Sequence, residues 1–329
     1  MNIMVVGGAG YIGSHAVRAL LQNGHKVSVI DNLCTGHRES VPAEVPFYEV
    51  DIKDTEKLKE IFSNEKFDGV IHFAANSLVG ESMTNPLKYY NNNVCGTESL
   101  LEALVATDTK NIVFSSTAAT YGNPEVVPIL ETAPTNPTNP YGETKLAIEK
   151  MLKWTHEANG LNYVALRYFN VAGADASGEI GEAHTTETHL IPIILQVLLG
   201  QRDAITVYGT DYPTEDGTCI RDYIHVSDLV DAHILALEYL LKGGESNVFN
   251  LGNNVGFSVK EIIEKTKEVT KQDIPTKYGE RRAGDPAMLV ASAEKAKTVL
   301  GWEPKYTNVG DIIATAWNWH ESHPYGYSK

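Results

Sequence analysis

The feature that most constrains the fold is a glycine-rich turn directly after the first predicted strand. Residues 7–13 read Gly-Gly-Ala-Gly-Tyr-Ile-Gly, and residues 14–23 have a helical pattern. A strand, a turn with glycine at every third position and a helix together form the unit that binds a dinucleotide. The free N–H groups and the dipole of the helix N-terminus attract the phosphates. The turn therefore predicts a doubly wound α/β sheet with a dinucleotide site.

The rest of the first half repeats this alternation of short strands and helices. Apolar β-branched runs separated by helical patterns indicate a parallel sheet that is covered on both faces. The predicted strands are residues 3–6, 27–30, 47–50, 70–73, 112–115 and 164–166. The alternation fades after about residue 174. We therefore predict a Rossmann domain over residues 1–174, joined by residues 223–252, and a smaller α/β substrate domain over residues 175–329.

The three glycines spaced three residues apart in the turn have separate roles, and two carboxylates follow at later strand ends. Gly7 permits the tight turn, Gly10 lets the backbone approach the pyrophosphate, and Gly13 lets helix and strand pack closely. Asp31 ends the second predicted strand, where a carboxylate binds the adenosine ribose and repels a 2′-phosphate. NAD is therefore favoured over NADP. Asp51 ends the third predicted strand and is placed near the adenine edge; for both carboxylates an ordinary turn residue is the alternative.

A tyrosine and a lysine lie one helical turn apart after a proline-rich loop over residues 123–140. Tyr141 and Lys145 share a helix face, so the lysine ammonium is expected to lower the pKa of the tyrosine. A phenolate beside a nicotinamide cation is a suitable base for oxidising an alcohol. It can remove the hydroxyl proton while the carbon of the alcohol gives hydride to the nicotinamide. The same spacing recurs from Tyr325 to Lys329, away from any predicted cofactor strand. Only the first pair is therefore a catalytic candidate, and a solvated helix face is its alternative.

Three hydroxyl residues close the fifth predicted strand. Carboxyl ends of parallel strands line the ligand crevice of a doubly wound sheet, and a hydroxyl there can share a proton with a substrate alcohol. The residues are Ser115, Ser116 and Thr117. The pattern alone does not choose among them.

Charge and cysteine content exclude several classes of protein. The formal net charge is −15, which argues against binding a nucleic-acid backbone. Cys34, Cys95 and Cys219 are far apart, so we expect neither a disulfide framework nor a metal site. This cysteine content favours a location in the reducing cytoplasm. The N-terminus lacks the basic start of a signal peptide, and the longest apolar run, residues 190–199, is too short to span a membrane.

Taken together, the sequence resembles the extended short-chain dehydrogenase/reductase family, and within it the enzymes that epimerise UDP-hexoses. The likeness covers essentially the whole chain, and its most specific part is Asp-Tyr-Pro-Thr-Glu-Asp-Gly-Thr from residue 211, followed by Arg-Asp-Tyr-Ile-His-Val from residue 221. The other matching segments are residues 7–15, 31–33, 72–75, 79–82, 90–96, 114–122, 141–145, 166–173 and 281–285.

The resemblance implies catalytic roles for three residues and NAD as the cofactor. Tyr141 would act as base and acid, Lys145 would hold the nicotinamide ribose, and Thr117 would bridge the sugar hydroxyl and Tyr141. The implied cofactor-binding residues are Gly7, Gly10, Tyr11, Ile12, Gly13, Asp31, Asn32, Asp51, Ile52, Phe73, Ala74, Ala75, Asn92, Ser115, Tyr141, Lys145 and Tyr168.

A second set of residues would hold the UDP-hexose. These substrate-binding residues are Thr117, Tyr141, Asn170, His189, Leu190, Tyr208, Arg221, Tyr223, Arg282, Asp285 and Leu289. Family members often carry an amide in place of His189 and a lysine in place of Ser77, which leaves the contacts at these two positions open. In the family, the residue at the position of Leu289 borders the C2 substituent of the sugar.

The resemblance implies interconversion of UDP-glucose and UDP-galactose by transient oxidation at C4. UDP would stay anchored while the keto sugar turns over and receives hydride on its other face. A 4,6-dehydratase would need carboxylates where Ala118 and Ala119 follow Thr117. Two alternatives remain, a UDP-glucuronate epimerase or decarboxylase and a dinucleotide sensor without chemistry. The resemblance also implies a homodimer through the predicted helices over residues 91–105 and 143–157, although the leucines of these helices could instead cover the sheet.

Overall fold

The computed structural model describes residues 1–282 and 285–327. The strands are β1 Asn2–Val6, β2 Lys26–Asp31, β3 Phe47–Glu49, β4 Gly69–His72, β5 Asn111–Ser115, β6 Asn162–Arg167, β7 Asn170–Ala172, β8 Ile205–Tyr208, β9 Ile220–His225, β10 Asn247–Asn250, β11 Gly256–Ser258, β12 Thr276–Gly279 and β13 Met288–Leu289.

The helices alternate with these strands in the first half of the chain. They are α1 Tyr11–Gln22, α2 Thr55–Asn64, α3 Val79–Thr84, α4 Pro86–Tyr89, α5 Gly96–Ala106, α6 Pro140–Asn159, α7 Leu190–Leu198, α8 Val226–Leu241, α9 Val259–Thr270, α10 Glu294–Leu300 and α11 Val309–Ser322. Within the described part of the chain, no helix is both long and apolar enough to cross a membrane.

Seven strands form one parallel sheet in the order β10-β6-β5-β4-β1-β2-β3. The strand order reverses at β1, which pairs with β2 on one side and β4 on the other. In such a sheet the ligand crevice opens at the carboxyl ends of the strands beside this reversal. The predicted doubly wound parallel sheet is confirmed, and the predicted strands differ from the observed ones by no more than two residues at either end.

The sheet is covered on both faces because side chains of a strand point alternately to opposite sides. In β1, Ile3 and Val5 join a core with side chains of α1 and α8, whereas Met4 and Val6 join a core with side chains of α2, α5 and α6. These four side chains are completely buried. Burying a side chain of this size stabilises the fold by roughly 1.5–3 kcal/mol.

The glycine turn folds as its sequence requires. Gly7 has φ +82°, a conformation that favours glycine, and a Cβ on Gly13 would lie 2.0 Å from the Gly7 carbonyl oxygen. α1 begins at Tyr11, three residues before the predicted start at Ser14. The predicted start is too late because Gly13 has a low helix propensity, whereas close packing on β1 requires a glycine there.

The proline-rich loop delivers the start of α6 to the site. The side chain of Asn139 accepts a hydrogen bond from the Gly142 N–H at 2.8 Å, and Pro140 occupies the first helical position. Both features favour a helix start. They fix Tyr141 in the first turn of α6, which begins three residues before the predicted helix.

The later half of the chain adds smaller sheets and a third core. β9 pairs with β7, β11 and β13, while β8 pairs with β12. Side chains of α7, α9 and α11 pack together in this core. β10 leaves this part of the chain and pairs in parallel with β6 at the edge of the large sheet.

Candidate active site

A cavity of about 690 Å³ opens at the carboxyl ends of the large sheet. Residues from both halves of the chain line it. The predicted site residues in its wall are Gly7, Gly10, Tyr11, Ile12, Gly13, Asp31, Asn32, Ile52, Phe73, Ala74, Ala75, Asn92, Ser115, Thr117, Tyr141, Lys145, Tyr168, Asn170, His189, Arg282, Asp285 and Leu289.

Five predicted site residues lie outside the wall, and four of them have a direct link to it. Asp51 accepts a hydrogen bond from Asn32 Nδ2 at 3.2 Å. Arg221 forms an ion pair with Asp285, and the ring of Tyr208 lies 4.2 Å from the Arg282 guanidinium. Tyr223 pairs with Asn170 across β9 and β7. Leu190, the remaining one, begins α7 directly after His189.

The cofactor half of the cavity holds Asp31 in a fixed position. Its two carboxylate oxygens accept hydrogen bonds from the N–H groups of Ala9 at 2.9 Å and Leu33 at 2.8 Å. Burial raises the pKa of Asp31, and these two N–H groups act in the opposite direction. The carboxylate therefore faces the cavity beside the glycine turn, where it can accept from ribose hydroxyls.

The glycine turn itself leaves room for a diphosphate. A Cβ on Gly10 would meet no atom closer than the Gly7 carbonyl oxygen at 3.4 Å, and Gly10 lines the cavity. The backbone at Gly10 is thus open to a ligand at the N-terminus of α1. Together with Asp31, this cradle fits NAD.

The tyrosine–lysine pair, Tyr141 and Lys145, lines the same cavity. Lys145 is buried, and its Nζ donates a hydrogen bond to the Ser115 carbonyl oxygen at 2.7 Å. Nζ also lies 6.0 Å from the centre of the Tyr141 ring. Burial lowers the pKa of Lys145 to about 7, while Glu149 acts to raise it. The ammonium is therefore poorly solvated and close to the phenol.

The structure does not show the expected lowering of the Tyr141 pKa. Burial raises the pKa of Tyr141 to about 12, and hydrogen bonding with Thr117 opposes this only in part. The expectation considered the charge of Lys145 and neglected burial, which disfavours the charged form of both groups. Without a further positive charge, the phenol stays protonated at neutral pH.

The structure separates the three strand-end hydroxyls. Ser115 and Thr117 line the cavity. Ser116 points away from it, because its Oγ donates to Glu149 Oε1 at 2.6 Å, and Glu149 is paired with Arg167. Alternation along the strand explains this division. Thr117 is placed to share a proton with Tyr141, whereas the Ser115 hydroxyl contacts the Tyr168 hydroxyl.

Sequence reasoning missed several features of the wall. Asn92 lies in a π-helical turn, Tyr90–Cys95, which replaces the first part of the predicted helix over residues 91–105. Phe169 and three residues of the loop before α7, His184, Thr186 and Thr188, also line the cavity. The loop has no regular secondary structure, so no periodic pattern marked it. Its one signal is the close spacing of histidines and glutamates.

Parts of two predicted motifs lie outside the described residues. In the segment over residues 281–285, Ala283 and Gly284 are among them. So is Lys329, the second member of the distant tyrosine–lysine pair. Ser77, where family members often carry lysine, lines the cavity.

Comparison with known proteins places this geometry in a family. The model of the NAD dependent epimerase/dehydratase family matches residues 3–252. The UDP-glucose 4-epimerase of Halalkalibacterium halodurans is 60% identical over 328 residues, which cover 100% of this chain and 98% of that protein.

Two solved structures extend the likeness to the fold. The UDP-glucose 4-epimerase of Brucella ovis in complex with NAD has a TM-score of 0.94 at 49% identity and covers 96% of this chain and 97% of its own. The Bifidobacterium longum enzyme in complex with NAD⁺ and UDP has a TM-score of 0.94 at 37% identity and covers 99% of this chain and 100% of its own. The family resemblance read from the sequence is confirmed: this chain belongs to the NAD dependent epimerase/dehydratase family.

Proposed function

We propose that this protein interconverts UDP-glucose and UDP-galactose and that NAD is its bound cofactor. The observation that carries the proposal is the meeting of Thr117, Tyr141 and Lys145 in the same cavity that contains the glycine turn and Asp31. Relatives that share more than half of the sequence over its whole length are UDP-glucose 4-epimerases, which supports this reaction over the alternatives.

The chain's own residues supply the acid–base part of the reaction. NAD supplies the acceptor and donor of hydride at C4 of the sugar. Tyr141 takes the proton of the C4 hydroxyl and later returns it to the keto oxygen. Thr117, beside Tyr141, shares this proton with the sugar hydroxyl. Because burial raises the pKa of Tyr141, the charge of Lys145 alone is not enough; together with the nicotinamide cation of bound NAD⁺, it would favour the phenolate that accepts this proton.

Residues of the second half anchor UDP while the hexose moves. Arg282 and Asp285 line the cavity, and Arg221 is paired with Asp285. His189 also lines it and precedes the N-terminus of α7, whose dipole attracts a diphosphate. A firm hold on UDP makes reduction of the keto sugar an intramolecular step, because the sugar cannot escape between the two hydride transfers.

The cavity wall provides little that another reaction of the family would need. Elimination of water requires carboxylates beside Thr117, where Ala118 and Ala119 stand. A sugar carboxylate requires an additional cation. Among the described residues of the wall, Lys145 and Arg282 are the cations besides the histidines, and both already have a role.

The two-domain division, a homodimer and a cytoplasmic location stay predictions. The leucines of the two helices predicted to pair in a dimer, Leu100, Leu101, Leu104, Leu146 and Leu152, are buried within the chain. The exposed large apolar side chains on α3, α4, the π-helical turn, α5 and α6 are Val79, Met83, Leu87, Tyr90, Val105 and Trp154. α3 and α4 both pack against α6, so we infer that a homodimer would use this surface.

We expect NAD to copurify with the protein and not to be consumed. Epimerisation regenerates the oxidised cofactor in every cycle, so its release serves no purpose. The measurement is the NAD content of the supernatant after denaturing pure protein, followed by turnover of C4-deuterated UDP-galactose without added cofactor. The deuterium should remain at C4 of UDP-glucose. Protein that needs stoichiometric NAD⁺ and loses the label to free cofactor would point to a dehydrogenase.

We expect weaker but measurable activity on UDP-N-acetylglucosamine. Leu289 lines the cavity, and the family resemblance places this position beside the C2 substituent. Leucine is smaller than tyrosine and its aliphatic wall can accept the acetyl methyl, although a misfit of one methylene costs about 1–3 kcal/mol. Comparison of kcat/KM for plain and N-acetylated substrates in the parent, Leu289→Ser and Leu289→Tyr tests this. The same preference ratio in all three proteins would refute it.

A further inference from the structure

Four side chains with metal-binding atoms converge in the loop before α7. Glu182, His184, Glu187 and His189 each place one such atom within 4.8 Å of the others. His184 Nδ1 lies 3.2 Å from Glu182 Oε1 and 3.4 Å from Glu187 Oε2. His189 Nδ1 contacts Glu182 Oε1 and lies 3.9 Å from Glu187 Oε1. We call these four residues the His–Glu cluster.

The two carboxylates of this cluster are buried, and histidines are their partners. The side chains of Glu182 and Glu187 are each 3% exposed. In residues 1–282 and 285–327, the only ion-pair partners of either carboxylate are His184 and His189. Two buried carboxylates carry two negative charges, which are costly to bury unless they are paired or coordinate a metal. Despite burial, Glu182 and Glu187 hold the pKa of both histidines above its usual range, so the imidazolium charges neutralise the carboxylates in the metal-free chain. One divalent cation that replaces the two imidazole protons preserves this balance.

The distances within the cluster suit a small metal ion. Ligands at the usual 2.0–2.2 Å from a tetrahedral zinc ion lie about 3.4 Å from one another. Three of the four histidine–carboxylate distances, 3.2, 3.4 and 3.9 Å, are close to this value. The fourth pair, His189 and Glu182, is in direct hydrogen-bond contact and would have to separate to admit the ion. Two imidazole nitrogens with two carboxylates favour zinc and its neighbours over magnesium and calcium, which prefer oxygen ligands alone.

Access and support for an ion are also present. His184 and His189 are partly exposed, and both line the cavity, so an ion can enter from there. Glu187 Oε1 accepts hydrogen bonds from the N–H groups of Thr188 and His189 at 2.8 Å each, which fix that carboxylate. Such outer contacts orient metal ligands.

We propose that Glu182, His184, Glu187 and His189 bind one divalent transition-metal ion beside the cofactor and substrate cavity. The cysteine spacing in the sequence predicts no metal site, but it carries no information about this histidine–glutamate set. A metal there would tie the irregular loop over residues 182–189 into a single conformation. The His184 ring packs edge-on against the ring of Tyr11 in the glycine turn, with 6.3 Å between the ring centroids. An ordered loop would therefore also stabilise the position of that turn.

The test measures metal content and does not depend on turnover. Chelator-treated protein, with its NAD content checked, is incubated with Zn²⁺, passed through a desalting column and analysed for zinc. We expect one zinc ion per chain in the parent and in His25→Gln, a control histidine far from the loop in sequence. His184→Gln and Glu187→Gln should each bind zinc at least about tenfold more weakly.

If either variant fails to fold, titration of the parent protein with Co²⁺ tests whether the His–Glu cluster binds a metal ion. Bound to two histidines and two carboxylates, Co²⁺ should give the parent the visible absorption of a four-coordinate site, and zinc should abolish that absorption by displacement. Parent protein that retains no zinc and shows no such spectrum would overturn the proposal. So would folded His184→Gln and Glu187→Gln variants that bind zinc as tightly as the parent.

Discussion

Replacement of Tyr141 by phenylalanine should lower kcat by about 10²–10⁴-fold while the protein still binds NAD and UDP. The phenolic oxygen is the proposed carrier of the proton, and it lies beside Thr117 in the cavity. Phenylalanine keeps the ring and its packing, so the loss should fall on kcat with little change in ligand affinity.

The matched control for this change is Tyr278→Phe, which removes the hydroxyl of a tyrosine that is 64% exposed. It should leave turnover unchanged. A Tyr141→Phe protein that keeps more than about half of the parent rate would mean that another residue is the base. A loss of NAD or UDP binding in parallel would mean that the hydroxyl is needed for assembly of the site.

The second large effect is expected from Gly13→Ala, which should prevent the protein from folding into an NAD-binding form. The new methyl group would lie 2.0 Å from the Gly7 carbonyl oxygen and 2.8 Å from the Gly8 Cα. These are backbone atoms of the turn, so the clash can be relieved only by moving α1 away from β1. We expect a loss of about 3 kcal/mol or more in the free energy of unfolding.

Gly279→Ala is the control for this substitution, because a Cβ at Gly279, in strand β12, would meet no atom closer than 3.4 Å, an ordinary contact, and Gly279 lies outside the cavity wall. Chemical denaturation and NAD content should be measured for both variants. The packing account predicts a large drop in both quantities for Gly13→Ala alone. A Gly13→Ala protein with the stability and the NAD content of the parent would contradict it.

The parts of the fold that were predictable are those with a strong local pattern. The glycine turn, the apolar strands and the tyrosine–lysine pair each follow from backbone geometry or periodicity within a few residues. The position of Asp31 in the cavity wall was predictable for the same reason, since a carboxylate at the end of the second strand beside such a turn is typical of a ribose-binding residue.

Other features depend on contacts between distant segments and left no local pattern. Arg221 and Asp285 meet only because β13 pairs with β9, and Ser116 is turned away from the cavity by Glu149 of α6. The pKa of Tyr141 depends on how deeply the folded chain buries it. The sequence analysis missed the His–Glu cluster, because the spacing of its histidines and glutamates gains meaning only from the burial of both carboxylates in the folded chain.

Turnover of UDP-galactose by pure protein without added cofactor tests the central claim most directly. The sugar nucleotides are separated and quantified over time, starting from UDP-galactose in one reaction and from UDP-glucose in another. The account predicts that both reactions approach the same mixture of the two, with no accumulation of reduced cofactor. A protein that carries NAD yet leaves both substrates unchanged, or that forms reduced cofactor in proportion to substrate consumed, would contradict it.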